Sequence, residues 1–528
     1  MFNLKKLQKA IRYEGGVSRR LFLAYGSALA SIPTLGRAQT ANDKPTFSGN
    51  PFTLGVASGE PTANSVVLWT RLAPKPLETD GGMRPGAVEV SWEIAEDEGM
   101  KKVVQKGTAI ASQHLAHTVH VQPESLKPDR WYWYRFRAGD AMSPVGRTRT
   151  FPESSVLPEK MKFAFASCQH LEQGLFTAYE QMAKDDLDLI FHLGDYIYEY
   201  GGKDNKVRKH IGNEINSLSD YRVRHAQYRS DPLLAASHAR CPWMVTWDDH
   251  EFDNNCAGDI SEEKDIDPAE FLLRRANAYQ AYYEAMPLGR MSLPQGPDMK
   301  LYRQASFGRL AQFMVLDTRQ YRTDQPNGDK PADLNEAALS PKNTMLGQKQ
   351  RKWLQGALIS SEGHWNVLAQ QVMMEMAAIS RNGLTPKYSM DQWPGYAHER
   401  MALMRFIEDR KISNPIVLTG DIHSNWVNEL RVDDRKPETP IVATEFVGTS
   451  ITSGGNGQAK PTYLPLLQSV NPGVKFHNTE RGYVRCEVTK DLWKSDYVAV
   501  EDVLKPGGNI LTRASFIVES GKPGVKKS

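Results

Sequence analysis

Four short stretches carry the residue types that could do chemistry. Gly194-Asp195-Tyr196-Ile197-Tyr198 offers a carboxylate and, three residues on, a phenol. Asp248-Asp249-His250-Glu251 sets three carboxylates around an imidazole. Gly420-Asp421-Ile422-His423 pairs a carboxylate with an imidazole, and Ser167-Cys168 ends in a thiol. Hard oxygen donors on one loop suit a highly charged cation, and an imidazole among carboxylates suits proton transfer. Any one of these stretches alone is also what a capped strand end with a packing Tyr looks like.

The elements behind them decide otherwise. Each stretch closes an apolar run of strand length, at 161–168, 187–193, 244–247 and 415–418, and the run at 365–373 carries Gln370-Gln371. Carboxyl ends of strands in one α/β sheet converge on one crevice, so five such endings weigh far more than one. Helical spacing is expected over 174–184, 221–228, 232–238, 268–286, 346–358 and 398–409, with further strands at 301–307, 310–316, 441–446 and 482–488. That alternation predicts an α/β region of packed sheets and flanking helices over 158–505. Residues 48–155 differ: short alternating runs at 65–72, 88–94, 117–121, 131–136 and 147–151, separated by Gly/Pro/Asp turns, predict an all-β sandwich of immunoglobulin or fibronectin type III character. It carries no evident chemistry and reads as a lid or a binding module. Residues 506–528 are expected to be a loose C-terminal tail.

Composition is that of an ordinary soluble globular protein, and 528 residues exceed one core, so two domains are the expectation. Of the formal net charge of +3, residues 1–38 carry +6 (seven Lys/Arg against Glu14), which leaves the remainder at −3. A mildly acidic body argues against a nucleic-acid footprint. Ser18-Arg19-Arg20-Leu21-Phe22-Leu23 is a twin-arginine pattern, followed by a short apolar run and small residues at Gly36 and Ala38. Residues 1–38 therefore read as a signal peptide for the twin-arginine export machinery, with the periplasm or the cell exterior as destination. No later stretch reaches the length of a stable membrane span. Four cysteines, Cys168, Cys241, Cys256 and Cys486, are too few for a disulfide scaffold, but an oxidising destination would permit a pairing that sequence does not specify.

Gly-Asp-x-x-Tyr, Asp-His-Glu and Gly-Asp-x-His together resemble the calcineurin-like metallophosphoesterases. The PhoD-like family of alkaline phosphatases and phosphodiesterases is the nearer resemblance. It is carried by Phe52-Thr53-Leu54-Gly55-Val56-Ala57-Ser58-Gly59-Glu60-Pro61, Ala166-Ser167-Cys168-Gln169, Gly194 to Tyr198, Trp247 to Glu251, Gly420 to His423 and the twin-arginine leader. It spans about residues 50–500.

The resemblance implies a metallophosphoesterase fold of two packed mixed sheets and a pair of metal ions. One site would take Cys168, Asp195, Tyr198 and His423, an anionic set that favours Fe³⁺. The other would take Asp195 as bridge, Asp249, Asp421 and one glutamine, oxygen donors that suit Ca²⁺. Strand parity admits only one of Gln370 and Gln371, and the family's Gln-Val run favours Gln371. Asn254 or Asn255 is a further candidate oxygen ligand, with Asn254 taken first.

Such a pair would lower the pKa of a bound water, whose hydroxide would attack phosphorus in line. His250 would protonate the leaving alkoxide, assisted by Glu251 or Asp248. With no Ser/Thr nucleophile motif, transfer to water without a phosphoenzyme is expected. The implied activity is hydrolysis of small phosphomonoesters, extending to phosphodiesters, at alkaline pH; a monomer is expected. The alternative is a phosphodiesterase or phospholipase D acting on teichoic-acid polymers or phospholipid, and a third reading is a non-catalytic surface-binding protein. Arg222, Arg224 and Arg229 are read as a solvated helix face in preference to a phosphate clamp. The turn Gly448-Thr449-Ser450 to Gly454-Gly455 is placed near the site, either as a plain turn or as an anion-binding loop. His170, His225, His364 and His398 belong to no motif and are read as ordinary residues.

Overall fold

The computed structural model describes residues 47, 49–263, 265–378 and 386–528. The leader expected over 1–38 lies outside the described residues. Among the described residues no helix is long and apolar enough to cross a membrane.

Strand Lys160–Ala166 shows why the core is layered. Phe163 and Phe165 alternate with Ala164 and Ala166, so bulk lies on one face and methyl groups on the other. Leu189–Leu193 repeats the pattern, with Leu189, Phe191 and Leu193 on the bulky face and Ile190 on the opposite one. The bulky face packs against Phe313, Val315, Trp365, Val367, Ile416 and Leu418 of a second sheet in one buried cluster. Each large apolar side chain so buried contributes about 1.5–3 kcal/mol.

The opposite faces take helices. Ala164, Ile190 and Val245 meet Tyr179, Tyr221, Leu234, Tyr279 and Tyr282 of helices Thr177–Lys184, Leu218–Arg229, Pro232–His238 and Pro268–Ala285. Met314, Leu368 and Val417 meet Leu354, Leu403, Met404 and Ile407 of helices Gly347–Ile359 and Ala397–Asp409. The layers run helix, sheet, sheet, helix. The helix starts are written in sequence: Ser217 and Asp220 form a reciprocal capping box, and Asp231 and Asp267 each cap a helix that begins with Pro.

At the centre of the first sheet Lys160–Ala166, Leu189–Leu193 and Trp243–Thr246 run parallel. At the centre of the second Ala311–Val315, Trp365–Ala369, Pro415–Thr419 and Ala443–Val447 run parallel. The two sheets have ten and seven strands. Their carboxyl ends meet directly. Ser167, at the end of a strand of the first sheet, bridges to Ser450, just past a strand of the second, and Ile451 N donates to Ser167 O at 3.0 Å. Within each sheet the strand ends are tied as well: Cys168 N donates to Gly194 O at 3.0 Å and Gly420 N to Gln371 O at 2.9 Å.

Two expectations change. Apart from one 3-10 turn at Gln113–Leu115, the regular structure of residues 49–155 is β, but the strands are shared between two sheets. Val56–Gly59, Val67–Arg71 and Thr118–Val121 extend the ten-stranded sheet, joined to Trp243–Thr246 through a parallel pairing of Gly59 with Trp243. Ala87–Ala95, Val103–Ser112, Trp131–Ala138 and Ala141–Met142 form a five-stranded sheet with Gly146–Arg149, packed over those three strands through Val56, Leu68, Val90, Ile94 and Tyr134. The N-terminal region is thus continuous with the ten-stranded sheet. The C-terminal stretch 506–528 is no loose tail. Ile510–Glu519 and Lys522–Lys527 pair as the outer strands of the ten-stranded sheet. The period-two alternation of Ala514, Phe516 and Val518 buries one face in the inter-sheet core. Lys522, Lys526 and Lys527 leave the edge charged, which discourages further pairing.

Candidate metal centre

The carboxyl-end loops present their key side chains from unusual backbone. Cys168, Asp195, Asp421 and His423 all have positive φ, at 58°, 56°, 65° and 52°. An L-residue held there costs about 1–2 kcal/mol, and such strain clusters where function needs a side chain re-aimed. Gly194 is required for the same reason. Its φ is 109°, and a Cβ would lie 2.4 Å from Asp248 Cβ and 2.6 Å from Asp248 N. Only a bare Cα lets the two acidic loops touch. Glu251 then fastens them: its carboxylate accepts backbone N–H groups of Asp195 (3.0 Å), Tyr196 and Asp248 (2.7 Å).

Three ligand clusters result: Cys168 with Asp195 and His423; Asp195 with Asp249 and His250; and Asp248 with Asp249 and Asp421. Asp195 belongs to the first two, and Asp249 to the last two. Tyr198 Oη donates to Asp195 Oδ2 at 2.8 Å and lies 3.2 Å from His423 Nε2. Ser453 Oγ lies 2.6 Å from Tyr198 Oη and 2.7 Å from Cys168 O, and its single proton can serve either of them.

The residues fit a bound cation. Asp195 Oδ1 is buried and, among the described residues, has no hydrogen-bond partner, an expensive state that a positive ion relieves. Burial, together with the charge of Asp195, raises the Cys168 thiol and the Tyr198 phenol well above their ordinary values. Burial also raises Asp195, with Asp249, Glu251 and Asp421 adding to it. These groups become anionic together only around a cation. His423 is pushed down to about 3 by burial and by His250 and Arg481, which leaves a neutral imidazole free to ligate. His250 is the opposite case. Burial opposes its charge, but Glu199, Asp249 and Asp195 overcome that and raise it well above the usual imidazole value.

A family model described as "PhoD-like phosphatase" matches residues 163–497, and a second, "PhoD-like phosphatase, N-terminal domain", matches residues 37–152. The chain belongs to the PhoD-like phosphatase family. Alkaline phosphatase D of Bacillus subtilis (strain 168) is 49% identical over 535 residues, covering 99% of this chain and 91% of that protein. A solved structure of PhoD is 52% identical with a TM-score of 0.89, covering 92% of this chain and 93% of that one.

Against the PhoD-like expectation, several residues take other roles. Gln371 is occupied at both ends: Oε1 accepts from Thr318 N and Oγ1, and Nε2 donates to Thr246 Oγ1 and Leu316 O. Gln370 is occupied by Val372 O, Thr419 Oγ1 and Trp393 Nε1. Both amides tie strand ends together. The amide that reaches Asp421 is Gln392. The Asn254 side chain turns to Glu262, while Asn255 donates its backbone N–H to Asp249 Oδ2 at 2.7 Å. Glu251 staples loops, Asp248 pairs with Arg319, and neither orients His250. That role falls to Glu199, whose Oε2 lies 2.8 Å from His250 Nδ1.

Among the described residues the four cysteines are buried and free. Arg224 and Arg229 are buried too, neither solvated nor a phosphate clamp. Arg224 bonds the carbonyls of Tyr198 and Tyr200, Arg229 lies 4.4 Å over the Trp69 ring, and Arg222 pairs with Glu284 at 2.6 Å. The turn at 448–455 does adjoin the site, but the amides of Ile451, Thr452, Ser453 and Gly455 are spent on carbonyls. His170 is no ordinary residue: its ring centre lies 4.3 Å from that of Tyr198.

Sequence reasoning missed Glu199, Arg319 and Asp391. Arg319 is fully buried and faces four carboxylates: Asp248, Asp391 at 2.9 Å, Asp421 at 3.0 Å and Asp249 at 3.7 Å. A signal existed for two of the three. Glu199 directly follows Tyr198, and Asp317-Thr318-Arg319 closes an apolar strand as the metal-type endings do. Asp391 follows a stretch without strand periodicity and leaves no such mark.

Proposed function

We propose that this chain is a metal-dependent phosphoric ester hydrolase that cleaves phosphomonoesters by direct transfer to water. The observation that supports this most is the shared Asp195 between ligand clusters, one of which carries an imidazole whose Nδ1 lies 2.8 Å from Glu199 Oε2. Cys168, Asp195, Tyr198 and His423 would hold Fe³⁺, the thiol, carboxyl and phenol being the anionic donors a trivalent ion draws. Asp195, Asp249 and Asp421 would hold Ca²⁺, an all-oxygen set in which we no longer include Gln371 or Asn254. When bound, such a pair supplies Lewis-acid activation of water and charge neutralisation at phosphorus.

The chain's own residues supply the rest. His250, with Nδ1 fixed by Glu199, presents Nε2 and its proton to the leaving oxygen and so offsets the developing alkoxide charge. Arg319 Nη2 holds Asp421 at 3.0 Å and faces Asp249 at 3.7 Å, while its other nitrogens pair with Asp248 and Asp391. Tyr198 and its Ser453 clamp fix one wall. The N-terminal strands, read as a sandwich of immunoglobulin or fibronectin type III character, brace the sheet from its far edge. We also propose export through the twin-arginine machinery to the periplasm or exterior, on the motif at Ser18–Leu23, and function as a monomer.

The test is turnover of p-nitrophenyl phosphate beside bis(p-nitrophenyl) phosphate, before and after exhaustive chelation. Monoester turnover that exceeds diester turnover and is lost on chelation is expected. Undiminished activity in metal-free protein would overturn the reading, and faster diester turnover would move it to a phosphodiesterase. His250→Ala should lower kcat by about 10²–10⁴-fold on esters with poor leaving groups.

A further inference from the structure

Tyr196, Tyr198 and Tyr200 lie on one loop and have three different fates. Tyr196 is buried with Oη 2.9 Å from His238 Nε2, and Tyr198 is buried on Asp195. Tyr200 alone is half-exposed, and among the described residues nothing hydrogen-bonds its hydroxyl. Yet its backbone is among the best anchored in the site. Its carbonyl accepts from Arg224 at 2.9 Å and lies 2.9 Å from His210 Nδ1. Its ring stands edge-to-face with His250, centroids 5.3 Å apart at 67°. Lys203 Nζ lies 5.5 Å from the ring centre, on an exposed side chain that has no carboxylate partner among the described residues. The His170 ring lies near-parallel to that of Tyr200, centroids 6.4 Å apart. A rigid backbone, a half-exposed aromatic ring and an exposed cation beside the proton donor are what a binding platform needs.

We propose that Tyr200, flanked by Lys203, is a leaving-group subsite that favours planar aromatic leaving groups. The inference rests on His250 as the general acid. The group bonded to the oxygen that His250 protonates must leave past His250, and Tyr200 is the aromatic surface beside it. Aromatic rings prefer offset-stacked or edge-to-face contact, which Tyr200 can offer to a phenyl or nucleoside ring and not to a small polyol. Tyr200 is therefore a specificity residue acting on the substrate's organic part.

The experiment compares phenyl phosphate with glycerol phosphate on the metal-loaded enzyme and reads the ratio of their kcat/KM values. Taking a ratio within one preparation cancels any inactive fraction. Tyr200→Ala should lower the phenyl-to-glycerol ratio by about tenfold, and Tyr200→Phe should keep it within about threefold of the wild type. A ratio that moves less than about twofold in Tyr200→Ala, or that collapses equally in Tyr200→Phe, overturns the subsite. A wild type inactive on both esters overturns the hydrolase reading itself, so the two failures are told apart.

Discussion

Removing the charge of Arg319 tests the account of the site most sharply. Arg319→Met keeps an unbranched apolar stem but deletes the one cation that faces Asp248, Asp249, Asp391 and Asp421 together. At 2.9–3.7 Å and an effective dielectric of about 20, each charge pair is worth about 4–6 kcal/mol before desolvation. Burying the guanidinium offsets much of that, and removing one partner of a buried pair costs about 3–5 kcal/mol net. The losses are not shared evenly. Asp391 retains Arg322 at 2.6 Å, whereas among the described residues Asp248 has no other cation within salt-bridge distance and its Oδ2 has no hydrogen-bond partner. Urea unfolding of metal-free protein should therefore show about 3–5 kcal/mol of destabilisation. Added divalent metal should recover part of it, because Asp249 and Asp421 then share the incoming charge. Arg319→Lys, which keeps charge but not the fork, should fall between. A loss below about 1 kcal/mol with unaltered metal dependence would refute the reasoning.

Three further outcomes follow from the same geometry. Tyr198→Phe should fold normally and lose or exchange iron, read by elemental analysis; full iron occupancy would remove Tyr198 from the ligand set. Glu199→Gln should lower His250's affinity for its proton, since the anion that raises it is gone, so the alkaline limb of the kcat/KM profile should move to lower pH; an unmoved limb would count against His250 as the acid. Among the described residues the buried rings of His192 and His225 have no hydrogen-bond partner, and both are pushed down to about 3, chiefly by desolvation. The unfolded chain takes up protons near pH 6.5 while the fold does not, so stability is complete above that value and falls as pH drops towards about 3. At pH 4.5 each costs about 2–3 kcal/mol, and His192→Phe should make the thermal midpoint less acid-sensitive; an identical slope would sink this.

The strand endings announced themselves in sequence because strand periodicity, Gly-Asp punctuation and donor type are all local. Asp195, Tyr198, Asp249, Asp421, His423 and Cys168 needed only the rule that parallel strands converge at their carboxyl ends. The layered α/β core was legible for the same reason, down to Phe163 and Phe165 alternating with alanine. The partners of those residues were not. Glu199 on His250, Arg319 among its carboxylates and Gln392 on Asp421 join residues 51, 71 and 29 positions apart, and no local pattern specifies which acid or amide fills which gap. Gln371 and Asn254 were misread because an amide's donor and acceptor fit a strand-end network as well as they fit a metal. The split of residues 48–155 between two sheets and the pairing of Ile510–Glu519 are likewise non-local, set by which edge is free once the parallel core has formed. Sequence alone determined which residues could carry charge and metal, and at what strand ends. The tertiary structure decided which of them meet, because contact across two packed sheets depends on register and packing that no single stretch of chain contains.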